Sequence, residues 1–289
     1  MDLSAAEGLQ AKMHSKIIKE SLKESFLAIS NKKKLFLLIF ILQIVFFFLI
    51  AAISINYFTK IIENSKNILD YSEKLNLDSA KMQLDVLQQK NFLGEDPLLI
   101  SRNYDKLIKN FGIFLFYIFI SFSLVNGFLW YCASNIHAKK LFLIKNSFRY
   151  LLKFLVVSIF LFLISILFFY SLLEITFSGF LNANPKTFIP LLLLTAILLY
   201  FIYISIPLIN SFKLKELPKK AFFIGTKRVF IVLISYLITL ISIALSLFLV
   251  FYFLELSGLL LFISLILMIF VFVFNKVYFS IVIKKLSRL

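Results

Sequence analysis

In a chain this apolar, any chemistry has to come from a small number of polar side chains, and their types set limits on it. Two amides fall inside long apolar runs, Gln43 and Asn126. At 1.5 Å per helical residue, Gln43 lies about 13 Å in from the inner side and Asn126 about 24 Å from the outer side. They can therefore meet in the inner half, as a helix-to-helix hydrogen bond or as part of a substrate site. Ser235, Thr239, Ser242 and Ser246 recur on one face of another run. Hydroxyls at that spacing suit a close-packed helix seam, and a polar pore lining is the alternative. Glu174 and Glu255 stand at the outer ends of two runs, as interfacial acids or as a mouth that attracts cations. Lys276, about 27 Å beyond Gly258, is expected at the inner interface with its ammonium snorkelling to water. The central third of every run then carries no Asp, Glu, Lys, Arg or His.

Catalytic machinery is not legible. The sequence holds no HExxH, GxSxG, GxGxxG or Walker pattern and no paired intramembrane aspartates. Cys132 is the single cysteine, so no internal disulfide or cysteine metal cage can form. His14 and His137 are far apart, with no ligand spacing around either. No catalytic residue, cofactor or metal is expected, and the chain reads as a non-enzyme.

The elements that must position these side chains are membrane helices. Of 289 residues, 61% are hydrophobic and 37 are Phe, with a mean hydropathy of +0.95. A soluble domain holds roughly 45–50% apolar residues. Six runs can each cross an apolar core of about 30 Å, which takes about 20 helical residues: 35–58, 111–135, 154–177, 188–212, 229–254 and 259–276. None alternates as a barrel strand would. The first run is too long for a cleavable signal and follows a 34-residue amphipathic segment. The expected fold class is all-α integral membrane: six transmembrane helices in three hairpins, each preceded by a basic amphipathic cytoplasmic helix. Those leading segments are 1–34, 136–153 and 213–228, and a tail covers 277–289.

Charge sets the orientation. The four inner segments, together with Lys276 at the edge of the last, hold 22 of the 31 Lys and Arg but only 5 of the 15 acids, a balance of +17; the outer side has 9 against 10. Basic short loops stay in the cytoplasm, which predicts a plasma-membrane protein with both termini inside. The surplus suits anionic membrane lipids; nucleic acid is not expected, since no aromatic–basic platform accompanies it. Wound at about 100° per residue, Leu141, Ile144, Phe148, Leu151 and Leu152 form a stripe flanked by Lys145, Arg149 and Lys153. Likewise Ile18, Leu22, Phe26 and Ile29 are flanked by Lys12, Lys16, Lys19 and Lys23, with Glu20 and Glu24 facing away. Both read as interfacial helices with cations at lipid headgroups. Trp130 and Tyr131 read as an inner aromatic belt, and Pro207 as a kink.

A repeat is also visible. AKKLFLIKNSFR at 138–149 shares its opening with PKKAFFIGTKRV at 218–229. Further on, Ser158 aligns with Thr239, Ser165 with Ser246 and Glu174 with Glu255. Outside, residues 59–110 read as a small helical cap: Ile61 to Leu69 prolong the first span, and Tyr104 to Ile108 lead into the second. About fifty residues bury little core alone, so the cap should rest on the bundle or on a protein partner.

The stretch IIKESLKESFLAISNKKKLFLLIF, 17–40, resembles the N-terminus of uncharacterised prokaryotic six-span proteins. It is similar to the membrane domain found with glycerophosphodiester phosphodiesterases: an amphipathic K-E-S helix, a basic knot, then a span. The resemblance implies a six-span topology and carries no enzymatic residue. Two functions stay open. The favoured one is a non-catalytic scaffold, assembly factor or accessory subunit. The other is a carrier or permease-like subunit for a weakly polar or lipidic ligand, disfavoured by the missing midplane charge.

Overall fold

The computed structural model describes the backbone of residues 3–74, 98–136, 144–182 and 185–289, and the side chains of 15–71, 98–136, 146–168 and 189–289. Among the described residues every regular element is helical. Leu-, Ile- and Phe-rich runs leave no water for the backbone, and a helix satisfies its own N–H and C=O groups. In chain order the elements are α1 (Leu3–Asn31), α2 (Lys33–Lys74), α3 (Leu99–Ser121), a π-helical turn (Phe122–Asn126) and α4 (Gly127–Ser134). Then come α5 (Ile144–Asn182), α6 (Pro185–Leu208), α7 (Leu217–Lys227), α8 (Val229–Phe253) and α9 (Gly258–Leu286). Six helical stretches are long and apolar enough to cross a membrane, which marks a multi-pass membrane protein.

Two boundaries differ from the sequence reading. A separate inner helix before residue 154 is expected, but α5 runs unbroken from Ile144. No Gly or Pro interrupts 144–178, and the apolar phase carries straight through. The last span, expected to stop at Lys276, continues to Leu286. Lys276, Ser280 and Lys284 bond to other helices there, so polarity after 275 does not mark an end.

The chain forms two compact units, Met1–Val45 with Phe122–Leu289, and Phe46–Ser121. In the second unit α2 and α3 supply the described residues. Tyr57 stacks on Tyr117 at 5.7 Å, Lys60 lies 5.2 Å over the Tyr57 ring, and the one buried residue described is Ser121.

The first unit holds the core, concentrated at the end where α9 finishes. Leu129, Cys132, Ile136, Tyr150, Phe154, Ile206 and Phe279 are buried there. Trp130 and Tyr131, expected in an interfacial belt, are buried too: Trp130 packs edge-on to Tyr203 at 5.6 Å and Tyr131 against Tyr150 at 5.3 Å. Their rings fill the core because neighbouring helices offer aromatic partners at this level. Pro207 sits one residue before the end of α6. Beyond it, Lys153 Nζ donates to the carbonyls of Ile209 at 3.2 Å and Phe212 at 2.8 Å. Lys153, expected at lipid phosphates, thus neutralises carbonyls at a helix C-terminus, where a cation is favoured.

Candidate functional site: a lysine cage

The site is built on α9. Lys276, Ser280 and Lys284 are spaced i, i+4, i+8, so they stand in one column on one face of the helix. Opposite runs the chain from the π-helical turn into α4. At the deep end of the column Lys276 Nζ donates to Gln43 Oε1 and to Asn126 Oδ1, both at 2.7 Å. One level along, Ser280 Oγ meets Ser134 Oγ at 3.1 Å. Near the C-terminal end of the helix Lys284 Nζ donates to the Ser134 carbonyl.

Gln43 and Asn126 are 1% and 6% exposed, so the ammonium is met by amide oxygens shielded from solvent. Among the described residues Lys276 has no ion pair; the acids Glu20 and Glu24 pair instead with Lys285, at 3.7 and 2.8 Å. An ammonium has three N–H donors and no acceptor, and two are committed here. The π-helical turn ends on Asn126 itself. Such turns shift the phase of a helix and occur often at functional sites. Here the turn ends on the residue whose amide oxygen meets Lys276.

A second polar cluster occupies the adjacent face of α9. Asn275 Nδ2 donates to Ser242 Oγ at 2.8 Å, and Tyr278 Oη to Ser235 Oγ at 3.3 Å. These contacts pair 235 with 278 and 242 with 275, so α8 and α9 run antiparallel. Thr239 and Ser246 turn back to the carbonyls of Ser235 and Ile243. All but Ser242, which is half-buried, are buried.

The structure therefore brings Gln43 and Asn126 together, through a residue the sequence reading set aside. Lys276, expected to reach out to water, instead has its ammonium on the amide oxygens of Gln43 and Asn126. Ser280, Lys284 and Asn275 were also missed. The i, i+4, i+8 spacing of 276, 280 and 284, inside VYFSIVI and its flanks, is the signal that was available.

The remaining candidates lie apart from the cage. Lys16, Lys19, Lys23 and Arg149 are exposed. So is Glu255. The side chains of Lys12, Lys145 and Glu174 lie outside the described residues. The seam of α1 is built on Ile17, Ile18, Ser21, Ser25 and Ala28 rather than on the larger Phe26, which stays 58% exposed. Small side chains let α1 approach α9 closely, with the Phe26 ring resting 4.8 Å from Phe274. Glu20 and Glu24, expected to face away, complete that contact through Lys285. Among the described residues no cluster of three His, Cys, Asp or Glu side chains occurs.

No family model matches the chain, and neither a curated protein nor a solved structure matches it. The function has to be argued from the cage itself.

Proposed function

We propose that this multi-pass membrane protein is a non-catalytic carrier or permease-like protein for a lipidic ligand with an anionic group, and that Lys276 is the counter-charge for that group. The observation that supports it is the lysine cage. A cation about 15 Å inside the end of α9 is costly in an apolar layer. Amide oxygens orient it but do not neutralise it, so an acidic group on the remaining donor would complete the site. The carrier reading lacked a deep charge on sequence grounds; Lys276 supplies one.

The test is binding of palmitate and of its neutral methyl ester to the purified protein by native mass spectrometry. We expect a single palmitate bound in preference to the ester, and about a tenfold loss in Lys276→Met. Lys276→Arg, which keeps the charge, should retain part of the binding. Elution volume and Trp130 fluorescence check folding. Equal binding by the Met variant would sink the carrier reading.

A second reading, the scaffold or accessory subunit, is favoured by α2. Its 42 residues extend about 60 Å, twice the apolar core, and expose Ile62 and Leu69 beyond the expected span. A protein partner seated there would cover them, and co-purification of a stoichiometric partner lost in Ile62→Lys would support it.

The remaining architecture belongs to the same proposal. Three hairpins, each led by a basic amphipathic helix, would place both termini at the cytoplasmic face of the plasma membrane and 59–110 outside as a cap. The charge asymmetry and the 138/218 repeat support this. The likeness of residues 17–40 to the membrane domain accompanying glycerophosphodiester phosphodiesterases supports the six-span topology and nothing enzymatic.

A further inference from the structure

The polar column on α9 ends in a cavity of about 550 Å³, within the roughly 300–1,000 Å³ of ligand sites. Its lining includes Lys284, Lys285, Arg288, Ser134, Ser280 and Glu24. We infer that this cavity binds a phosphate group, either the headgroup of an anionic lipid or a free phosphate. It lies beyond the carrier reading, which rests on Lys276 and not on these residues.

Three cations and two hydroxyls line one space with a single carboxylate, Glu24, while Glu20 reaches Lys285 from outside the lining at 3.7 Å. That surplus of donors suits a tetrahedral oxyanion with several acceptor oxygens better than a two-oxygen carboxylate. Each lining group has a place. Lys284 is held by the Ser134 carbonyl, which fixes its ammonium at the floor and offsets the negative end of α4. Ser280 and Ser134 hydroxyls lie 3.1 Å apart, one donating to the other, so an arriving oxygen can take over a donor. Arg288 stands at the rim, exposed, with a fork that can hold two oxygens at once.

Glu24 explains how such a site stays assembled without its ligand. Its carboxylate reaches 2.8 Å from Lys285 Nζ, and both groups are partly solvated, at 44% and 24% exposure. A partly solvated pair is weak and exchangeable. Glu24 therefore acts as an internal anion, delivered by α1, which a phosphate competes with and displaces. Binding should loosen the grip of α1 on α9 at this point while leaving the Ser21–Ser25–Ala28 seam in place.

The experiment uses the full chain in phosphatidylcholine nanodiscs, with and without phosphatidic acid, and in separate samples titrated with inorganic phosphate. The readout is the fluorescence of Trp130, the one tryptophan, which lies one helical turn from Ser134. We expect a saturable change with phosphatidic acid, with inorganic phosphate, or with both. The first alone assigns a lipid headgroup, and a response to inorganic phosphate assigns a soluble source. Lys285→Gln with Arg288→Gln should weaken binding by about tenfold, and Glu24→Gln should tighten it by removing the competitor. That opposite sign separates a ligand site from a structural ion pair. Lys276→Met should leave this response unchanged, so the two proposals fail separately. No response to either phosphate, an unaltered response in the double variant, or weaker or equal binding in Glu24→Gln would overturn the assignment.

Discussion

The two units solve the same problem differently. In the first, α9 alone buries Val273, Asn275, the seven residues 277–283, and Leu286. In the second, α2 and α3 expose Phe48, Ile55, Phe58, Phe111 and Phe116, and Ser121 is the one described residue buried. Both units are rich in Phe and Ile, so hydrophobicity does not distinguish them. Lipid tails satisfy an apolar side chain as well as another helix does; association needs small residues, interlocking rings or hydrogen bonds. The first unit has all three where α9 finishes. Among its described residues the second shows ring contacts at Phe46–Phe47, Tyr57–Tyr117 and Phe116–Tyr117, and Lys60 over the Tyr57 ring. Close packing and polar chemistry therefore coincide, and the candidate site falls in the unit that can hold a side chain still.

The largest test of that contrast is a matched pair of ring deletions. Phe279 is fully buried, with Tyr203 at 4.7 Å and Tyr236 at 5.0 Å. Phe279→Ala should cost about 3–5 kcal/mol in mixed-micelle unfolding. Phe58, 56% exposed, should cost within about 0.5 kcal/mol when changed to Ala. Equal losses would erase the distinction between the units. Next comes a pair of glycines expected to differ in sign. A Cβ on Gly127 would lie 2.7 Å from Phe154 Cδ1 and 3.2 Å from Leu151 Cδ2, with Phe154 itself 1% exposed. Gly127→Ala should destabilise by about 1–3 kcal/mol through overpacking. Gly112 in α3 has nothing within 4 Å, so Gly112→Ala should be neutral or stabilise by up to about 1 kcal/mol through helix propensity.

Two smaller effects sharpen the picture of the packed end. Lys153→Met strips a cation from the Ile209 and Phe212 carbonyls and should cost about 1 kcal/mol in the same unfolding measurement. Glu24→Gln breaks a partly solvated pair and should cost under about 1 kcal/mol, with the difference shrinking as salt is raised. A Glu24 effect larger than that of Lys153 would mean that α1 is held chiefly by charge and not by its small-residue seam.

The six spans were legible because hydropathy over about 20 residues is set by bulk composition: the fifth was placed at 229–254 and α8 covers Val229–Phe253. The cage was legible in part. Gln43 and Asn126 stand out as amides in apolar runs, and their depths allow them to meet. The partners of Lys276 were not legible, because a cation in a hydropathy profile looks like the end of a span. Its partners come from residues 43 and 126, more than 140 positions away, and nothing local encodes that. The aromatic belt failed for a related reason: Trp130 suits an interface or a core equally well, and only neighbouring helices decide between them. The seam of α1 was set by size, with Ser21, Ser25 and Ala28 chosen over the larger residues that an apolar stripe highlights.

The π-helical turn at Phe122–Asn126 has a bearing on how this chain can change length. Such a turn amounts to one residue inserted into an α-helix. Removing Phe122, Leu124 or Val125 would let the ladder close as an ordinary α-helix, with little cost to the backbone. Yet the helical phase would slip by about 100° at that point. Asn126, Trp130 and Ser134 would all keep their identities, yet the chain leading into them would no longer enter in the phase that presents them to α9. The convergence on Lys276 is therefore stored as a count of residues as much as in the residues themselves. A chain one position shorter could retain every polar group described here and still have no cage.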